Sequence, residues 1–442
     1  MSSTIFKDTI FALSSGRLPS GVAVIRLSGP GTQRALREMV GIVPAPRRAS
    51  YRAVRAPSGE PLDRGLVLFL PGPGSFTGED SAELQLHGGK AVVSAVLQAL
   101  GSFEDFRHAE AGEFTKRAFL NGRLDLVEAE ALADLISAET EAQRRFAAAN
   151  AQGAQTALYG EWRRRIVHAR AMIEAELDFS DEADVPGSVS DRVWADMAAL
   201  ATEIRAHLSG YHNAEIIRDG YQVVIMGAPN AGKSSLLNAL ARREAAIVTD
   251  EPGTTRDLVE VVLDLAGMKV VLVDTAGIRE GAGKVEAIGI ERALARAGRA
   301  DLVLELQAMD QAVQVTVAGT TPRVRVGTKS DLVGSDEHSD DFDLVISAKN
   351  GHGIDGLLNE IQRRAQEATG GMGDVLPSRM RHVALLERCA KALEAAISQE
   401  TAPLELRAEE LRDAGSSLGK ISGAVDVEDL LDAIFSEFCI GK

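Results

Sequence analysis

The sequence is short of cysteine, with two in 442 residues, Cys389 and Cys439. Two thiols cannot build a disulfide framework, so a reducing compartment is expected. Aromatic residues make up only 4%, so the cores must rest on Leu, Val, Ile and Ala. No apolar run reaches the roughly 18 residues that a membrane-spanning helix needs. The first residues, MSSTIFKDTI, lack a basic start followed by an apolar stretch, so no secretory signal is expected. A basic excess is also missing. The formal net charge is −16, whereas a protein that grips nucleic acid alone usually carries a basic patch. Contact with nucleic acid therefore calls for a local patch or a basic partner. A cytoplasmic location is expected.

Length indicates about two to four domains. Residues 1 to 120 mix short β-like runs with loops: Val22 to Leu27, Gly65 to Leu70 and Glu83 to Leu86 read as strands and Gly89 to Leu100 as a helix. An α+β domain is expected there. From Leu124 the texture turns to Ala, Glu and Leu, with Leu124, Val127, Ala131, Leu135 and Ile136 at helical spacing. An acidic stretch bearing Pro and Gly, 180–188, interrupts it, and a further helix is expected from about Asp191 to Leu208.

At Tyr221 the period changes again. Strand-like runs at 222–226, 258–265, 269–273, 301–306, 323–326 and 343–346 alternate with helical segments, which indicates a doubly wound α/β sheet. After 370–374 the chain reads as helical to its end. The expected organisation is an α+β domain over 1–120 and a helical domain in two parts, 121–216 and 372–442. An α/β domain over 217–371 is inserted between the two parts.

The inserted domain carries a phosphate-binding pattern. GAPNAGKSS, 227–235, fits G-x-x-x-x-G-K-[ST] after a strand and before a helix. The backbone amides of Asn230, Ala231 and Gly232 are placed to wrap phosphates, with Ser235 following. Lys233 supplies charge to the β- and γ-phosphates, and Ser234 a hydroxyl for Mg²⁺. About 40 residues on, Asp274, Thr275, Ala276 and Gly277 follow the apolar run KVVLV. Asp274 can hold magnesium through water, and the Gly277 amide can sense a γ-phosphate. Between the two patterns lies TDEPGTTRD, with Thr249, Asp250, Glu251, Pro252, Gly253, Thr254 and Thr255. Thr255 is the natural threonine to add a hydroxyl to Mg²⁺ when that loop closes.

Guanine selection in this class uses Asn-Lys-x-Asp. Here Thr328, Lys329, Ser330 and Asp331 stand in its place. A threonine hydroxyl does not reproduce the paired donor and acceptor of an amide. Guanine selectivity is expected through Asp331, with adenine binding as the alternative. Ser347, Ala348 and Lys349 stand where a loop covering the base belongs.

The glutamine that orients the attacking water in Ras-like proteins is absent, and its position is Ile278. Two residues offer another arrangement. Asn230 can ligate a monovalent cation through its amide oxygen, or it is simply a turn former. Glu286 can position water, or it is a solvated glutamate at a helix start.

These motifs, with VEAIGIERA and a terminal FCIGK, resemble the MnmE (TrmE) family of tRNA-modification GTPases. The likeness extends over nearly the whole chain, including FTGED (76–80), ELQLHGG (83–89) and GEFTKRAFLNGRLDL (112–126). It implies GTP hydrolysis by two G domains that dimerise across potassium. Asn230, Thr249, Glu251 and Thr254 would ligate K⁺, Ser234 and Thr255 would hold Mg²⁺, and Glu286 would orient the water. It implies a homodimer through the first domain. That domain would bind 5,10-methylene- or 5-formyl-tetrahydrofolate through Arg26, Glu83, Arg123 and Lys442. The family often has Lys at the place of Arg123, and Arg is a planar fork rather than a point charge. It also implies a partner, the FAD-containing MnmG (GidA), in a heterotetramer or larger complex. With that partner the family adds an aminomethyl or carboxymethylaminomethyl group at C5 of the tRNA wobble uridine.

Cys439 either takes part in the one-carbon chemistry or is structural. The ending Cys439-Ile440-Gly441-Lys442 departs from a prenylation box, so no lipid anchor is expected. The competing class is an assembly switch such as a ribosome-maturation GTPase, which has no need of a folate pocket. A folate-binding scaffold with a degenerate nucleotide site, a third class, would show no turnover in potassium.

Overall fold

The computed structural model describes residues 6–178, 189–247, 260–274, 300–310, 320–333, 341–370, 375–399 and 401–425, with 431, 434–436, 438 and 441. The chain forms two compact units, one of 1–133, 156–164 and 415–442, the other of 134–155 and 165–414.

The first unit is built on strands β1 (Thr9–Leu13), β2 (Ser20–Ser28), β3 (Ser50–Arg55), β4 (Pro61–Leu70), β5 (Ser81–Gly88) and β6 (Phe106–His108). They are ordered β3-β4-β5-β2-β1-β6. Helices α1 (Thr32–Val40) and α2 (Lys90–Gly101) supply Leu36, Met39, Val96 and Leu100 to a core shared with Ile25, Leu27, Val67 and Leu84. Strand alternation turns the intervening residues of β2 and β5 to the opposite face. Arg26, Ser28, Ser81 and Glu83 lie there, and Arg26 pairs in register with Glu83. Helix α3 (Glu113–Leu120) places Phe114 with Ile10 and Ala12 of β1 in a second small core. Helix α4 (Leu126–Ser137) contributes Leu126 and Ala129 to a cluster with Leu431, Phe435 and Phe438.

Next in the chain are α5 (Glu141–Ala151), α6 (Ala154–Asp178), α7 (Val189–Ser209) and α8 (Tyr211–Asp219). The capping box of Thr140 and Gln143 starts α5 by satisfying two amides that have no partner within the helix.

The second unit holds a sheet of β7 (Tyr221–Gly227), β8 (Glu260–Leu265), β9 (Met268–Asp274), β10 (Leu302–Ala308), β11 (Arg323–Thr328) and β12 (Leu344–Val345). Its order is β12-β11-β10-β7-β9-β8, parallel except for the β8–β9 hairpin. Helices α9 (Lys233–Ala241) and α10 (Ile354–Thr369) cover it with Leu236, Leu237, Leu357 and Ile361. Nearly continuous burial along β7 and β9 is what a parallel sheet covered on both faces requires. The sheet order reverses direction at β7, so the carboxyl end of β7 lies at a switch point, where open α/β sheets bind ligands. Helices α11 (Met380–Ser398) and α12 (Leu404–Ser422) follow, and Arg205 of α7 pairs with Glu394 of α11 at 2.7 Å. The doubly wound sheet, the α+β unit and the flanking helices agree with the fold class expected from sequence.

Candidate functional site

At the carboxyl end of β7 the chain turns through Ala228 to Gly232 into α9. Asn230 (φ 65) and Gly232 (φ 91) both adopt the left-handed region, which a tight phosphate loop demands and which Gly and Asn tolerate best. A Cβ on Gly227 would stand 2.4 Å from the carbonyl oxygen of Leu306, so only glycine fits where this loop leaves the sheet.

Lys233 is buried and folds back over the loop, donating to the carbonyl oxygens of Gly227 at 2.8 Å and Ala228 at 2.9 Å. Burial pushes its ammonium below the usual lysine range, partly offset by Asp274. The Ser234 hydroxyl donates to the buried Asp274 carboxylate at 3.3 Å. One charge and two hard oxygen donors therefore stand at one helix N-terminus, the geometry that holds a magnesium-bound polyphosphate. The Asn230 side chain is exposed, with no hydrogen bond among the described residues.

On the base side, Thr328 is buried and its hydroxyl donates to the carbonyl oxygen of Ala231 at 2.7 Å. It lies under Gly232, 3.5 Å from where a Cβ would stand. Lys329 (φ 59) reaches Asp310 at 3.4 Å. Asp331 accepts from the Ser347 hydroxyl at 2.7 Å, and the exposed Lys349 ammonium stands 3.7 Å away. The Ser347 bond, with Lys349 behind it, holds the Asp331 carboxyl below its usual range, so it is ionised and accepts hydrogen bonds. The structure thus brings Asn230 to Ser235, Asp274, Thr328, Lys329, Asp331 and Ser347 to Lys349 to one edge of the sheet. Thr249 to Thr255, Thr275 to Gly277, Glu286, Cys439 and Lys442 lie outside the described residues.

In the first unit, Arg26 and Glu83 form an ion pair at 3.0 Å, with the Arg26 guanidinium 5.7 Å from the Phe114 ring centroid. Arg123 stands beyond the 76–80 loop, its side chain against Gly78. The FTGED residues of that loop match no catalytic or binding pattern. Its Glu79 is buried beside Arg117, which is completely buried and bridges Asp8 (2.8 Å), Glu79 (3.2 Å) and Glu113 (3.1 Å). Arg107 adds a second cation, 2.6 Å from Glu113 and 2.7 Å from Asp8. Burial raises the Glu79 carboxyl despite Arg117, whereas for Glu113 the bonds from Arg107 and the Glu110 amide, with the charge of Arg117, outweigh burial and lower it. Ser28 donates to Glu79 at 2.8 Å and bonds Thr77 at 2.7 Å, and Asn121 donates to the Thr77 carbonyl at 2.7 Å. The only sequence signal for this network was the density of charge in GED and GEFTKR.

A phosphate loop at a β-strand switch point, an acidic side chain at the neighbouring strand end and an Asp at the Asn-Lys-x-Asp position define a P-loop nucleotide-binding domain of the GTPase type. Comparison with known proteins agrees. The family model "GTP-binding protein TrmE N-terminus" matches residues 9–123, and "MnmE helical domain" matches 126–439. A tRNA modification GTPase MnmE of Mesorhizobium japonicum is 60% identical over 439 residues, covering 98% of this chain and 99% of the relative. That of Chelativorans sp. is 59% identical over 436 residues, covering 99% and 98%. Among solved structures, Era of Aquifex aeolicus aligns over 39% of this chain and 66% of its own, with 25% identity and a TM-score of 0.26. The chain belongs to the MnmE family of tRNA-modification GTPases.

Proposed function

We propose that this chain is a potassium-activated GTPase that works with an MnmG partner to modify C5 of the wobble uridine of tRNA, using a one-carbon unit from tetrahydrofolate. The observation that carries the nucleotide half is the loop itself. Lys233, the Ser234 hydroxyl and the Asp274 carboxylate converge on one helix N-terminus, and Thr328 ties that loop to the base-reading segment.

The donor set fits the ions. Ser234 and Asp274 offer hard oxygens suited to Mg²⁺, with Thr255 to add a third. Bound magnesium would neutralise charge on the β- and γ-phosphates. Lys233 would turn from the carbonyls of Gly227 and Ala228 to the phosphates. Asp331 would accept from the guanine N1 and N2 groups.

The position that elsewhere holds a water-orienting glutamine is Ile278, which makes no hydrogen bond to water. Asn230 supports the alternative. Its backbone is committed to the left-handed turn, and its amide is exposed with no internal partner among the described residues. It is thus available to potassium, together with Thr249, Glu251 and Thr254. Glu286 would orient the water, with the second G domain of a homodimer closing the site.

For the folate, Glu83 offers a carboxylate to an aminopyrimidine edge and Arg26 a guanidinium to carbonyl oxygens. Arg123 and Lys442 would complete the site, with Cys439 near it. The acidic chain leaves most of the tRNA grip to the partner, whose FAD supplies the redox chemistry. No helix among the described residues is long and apolar enough to cross a membrane, consistent with work on tRNA in the cytoplasm.

The test is direct. Purified full-length protein is expected to retain GTP or GDP, to hydrolyse GTP with magnesium, and to bind 5-formyl-tetrahydrofolate. Failure to hold guanine nucleotides contradicts the whole reading. Nucleotide binding without folate binding would favour an assembly switch.

A further inference from the structure

Strand β3 lies at the edge of the sheet in the first unit, and the chain around it carries charge of one sign. Residues 39–59 hold Arg47, Arg48, Arg52 and Arg55 and no Asp or Glu. All four arginines are exposed. Arg47 donates to the Gly74 carbonyl, and Arg55 to the Gly59 carbonyl at 3.2 Å. The side chains of Arg48 and Arg52 make no hydrogen bond, and none of the four has a carboxylate partner, among the described residues. The next acidic side chains along the sequence are the exposed Glu38 and Glu60, and Asp63 beyond them is held by His87 at 2.9 Å.

Arginines of the second unit are placed differently. Arg144, Arg145, Arg165, Arg170 and Arg205 each have a carboxylate at 2.6–2.7 Å. On a chain of net charge −16 a surface arginine has many carboxylates to meet. Four in succession that meet none keep most of their five N–H donors for an anion from outside.

The backbone sets where these cations stand. Strand alternation puts Arg52 on the side of the buried Val54, and puts Tyr51 on the other side, opposite Leu66. Arg47 and Arg48 precede the strand, and Arg47 holds φ 59, a conformation that strains an L side chain and not glycine. Charge on an edge strand also blocks pairing with a foreign sheet. That role needs a cation on the strand itself, whereas Arg47 and Arg48 lie outside it. Screening acts over about 8 Å at physiological ionic strength. An anion lying along β3 therefore meets these four charges rather than the net charge of the chain. The six residues of β3 span about 20 Å, room for several successive phosphates.

We propose that the β3 edge and the turn before it form a contact for the sugar-phosphate backbone of tRNA, a smaller share of the grip beside that of the FAD-containing partner. This rests on the tRNA reading above. A nucleic-acid strand presents one phosphate per nucleotide in a row, and arginines spaced along an extended edge match that row. Guanidinium forks meet phosphate oxygens two bonds at a time. Such contacts set the position of the RNA without reading its bases.

The experiment follows the anisotropy of end-labelled tRNA on the full-length protein, alone and with its partner, from about 50 to 200 mM KCl. Replacing both Arg48→Gln and Arg52→Gln is expected to weaken binding about fivefold, the scale of two exposed charge contacts. The slope of log affinity against log salt should flatten by about one for each arginine that meets a phosphate. Arg48→Lys with Arg52→Lys should restore the slope. Tyr51→Ala, on the other side of the strand, should change neither quantity, and GTP turnover should be unaltered throughout. An unchanged slope in the glutamine variant overturns the proposal. So does a glutamine variant that aggregates while its soluble fraction binds tRNA normally, since the arginines then only protect the edge. Weakened affinity for the partner protein at unchanged tRNA affinity overturns it too, because the patch then docks an acidic protein surface. If the wild-type complex binds no tRNA at all, the tRNA reading itself fails.

Discussion

The Thr328 hydroxyl donates a 2.7 Å hydrogen bond to the Ala231 carbonyl, so the 328–331 segment and the phosphate loop are physically joined. Thr in place of the usual Asn gives up an amide, and its hydroxyl makes this tie. Thr328→Val keeps the shape and removes the donor, leaving a buried carbonyl short of a partner. GTP and GDP are both expected to bind about tenfold more weakly, on the scale of a lost buried hydrogen bond of ~1–2 kcal/mol. Calorimetric titration of both nucleotides checks this. A loss confined to GTP would place Thr328 in the catalytic step instead.

Asp331 is ionised and held by Ser347. Asp331→Asn replaces two acceptors with one acceptor and one donor, which clashes with guanine and suits xanthine. GTP affinity is expected to fall on the order of 100-fold, with XTP preferred, because an unmatched polar edge is rejected strongly. Competition of GTP and XTP for the variant measures it.

Arg117 holds three carboxylates in the first unit. Arg117→Met leaves them without their shared cation and is expected to cost about 3–5 kcal/mol of unfolding free energy. Glu79→Gln removes a carboxyl whose ionisation burial opposes, so a loss of under about 1 kcal/mol is expected. Denaturant titration separates the two, and equal costs would contradict the picture of Arg117 as the hub.

In the second unit, burial, with the neighbouring His382, drives His207 from its ordinary 6.5 down to about 4. The folded state thus resists a proton that the unfolded chain accepts. Stability is full above pH 6.5 and is lost as pH falls towards 4, by at most ~1.4 kcal/mol per pH unit from this group. His207→Gln is expected to flatten that slope relative to wild type. Unfolding free energies at pH 7, 6, 5 and 4.5 test it, and parallel curves would contradict it.

The sequence was most readable where period and motif coincided. The runs at 222–226 and 269–273 became β7 and β9, each longer by one residue at either end, because buried parallel strands read as unbroken apolar runs. It was least readable at β1, β3 and β6. Three-residue β6 carries no alternation to detect, and β3 exposes Tyr51 and Arg52 on the sheet edge. Motifs placed Lys233, Ser234 and Asp331 because their spacing encodes chemistry. Nothing encoded the meeting of Arg117 with Asp8, 109 residues away, which only tertiary packing creates.

The central claim is that an alkali cation at Asn230 stands in for the missing glutamine. GTP turnover by the full-length protein, measured in KCl and in NaCl at equal ionic strength, tests it most directly. Fast hydrolysis in KCl, little in NaCl, and loss of the potassium response in Asn230→Ala are expected. Equal rates in the two salts would contradict it.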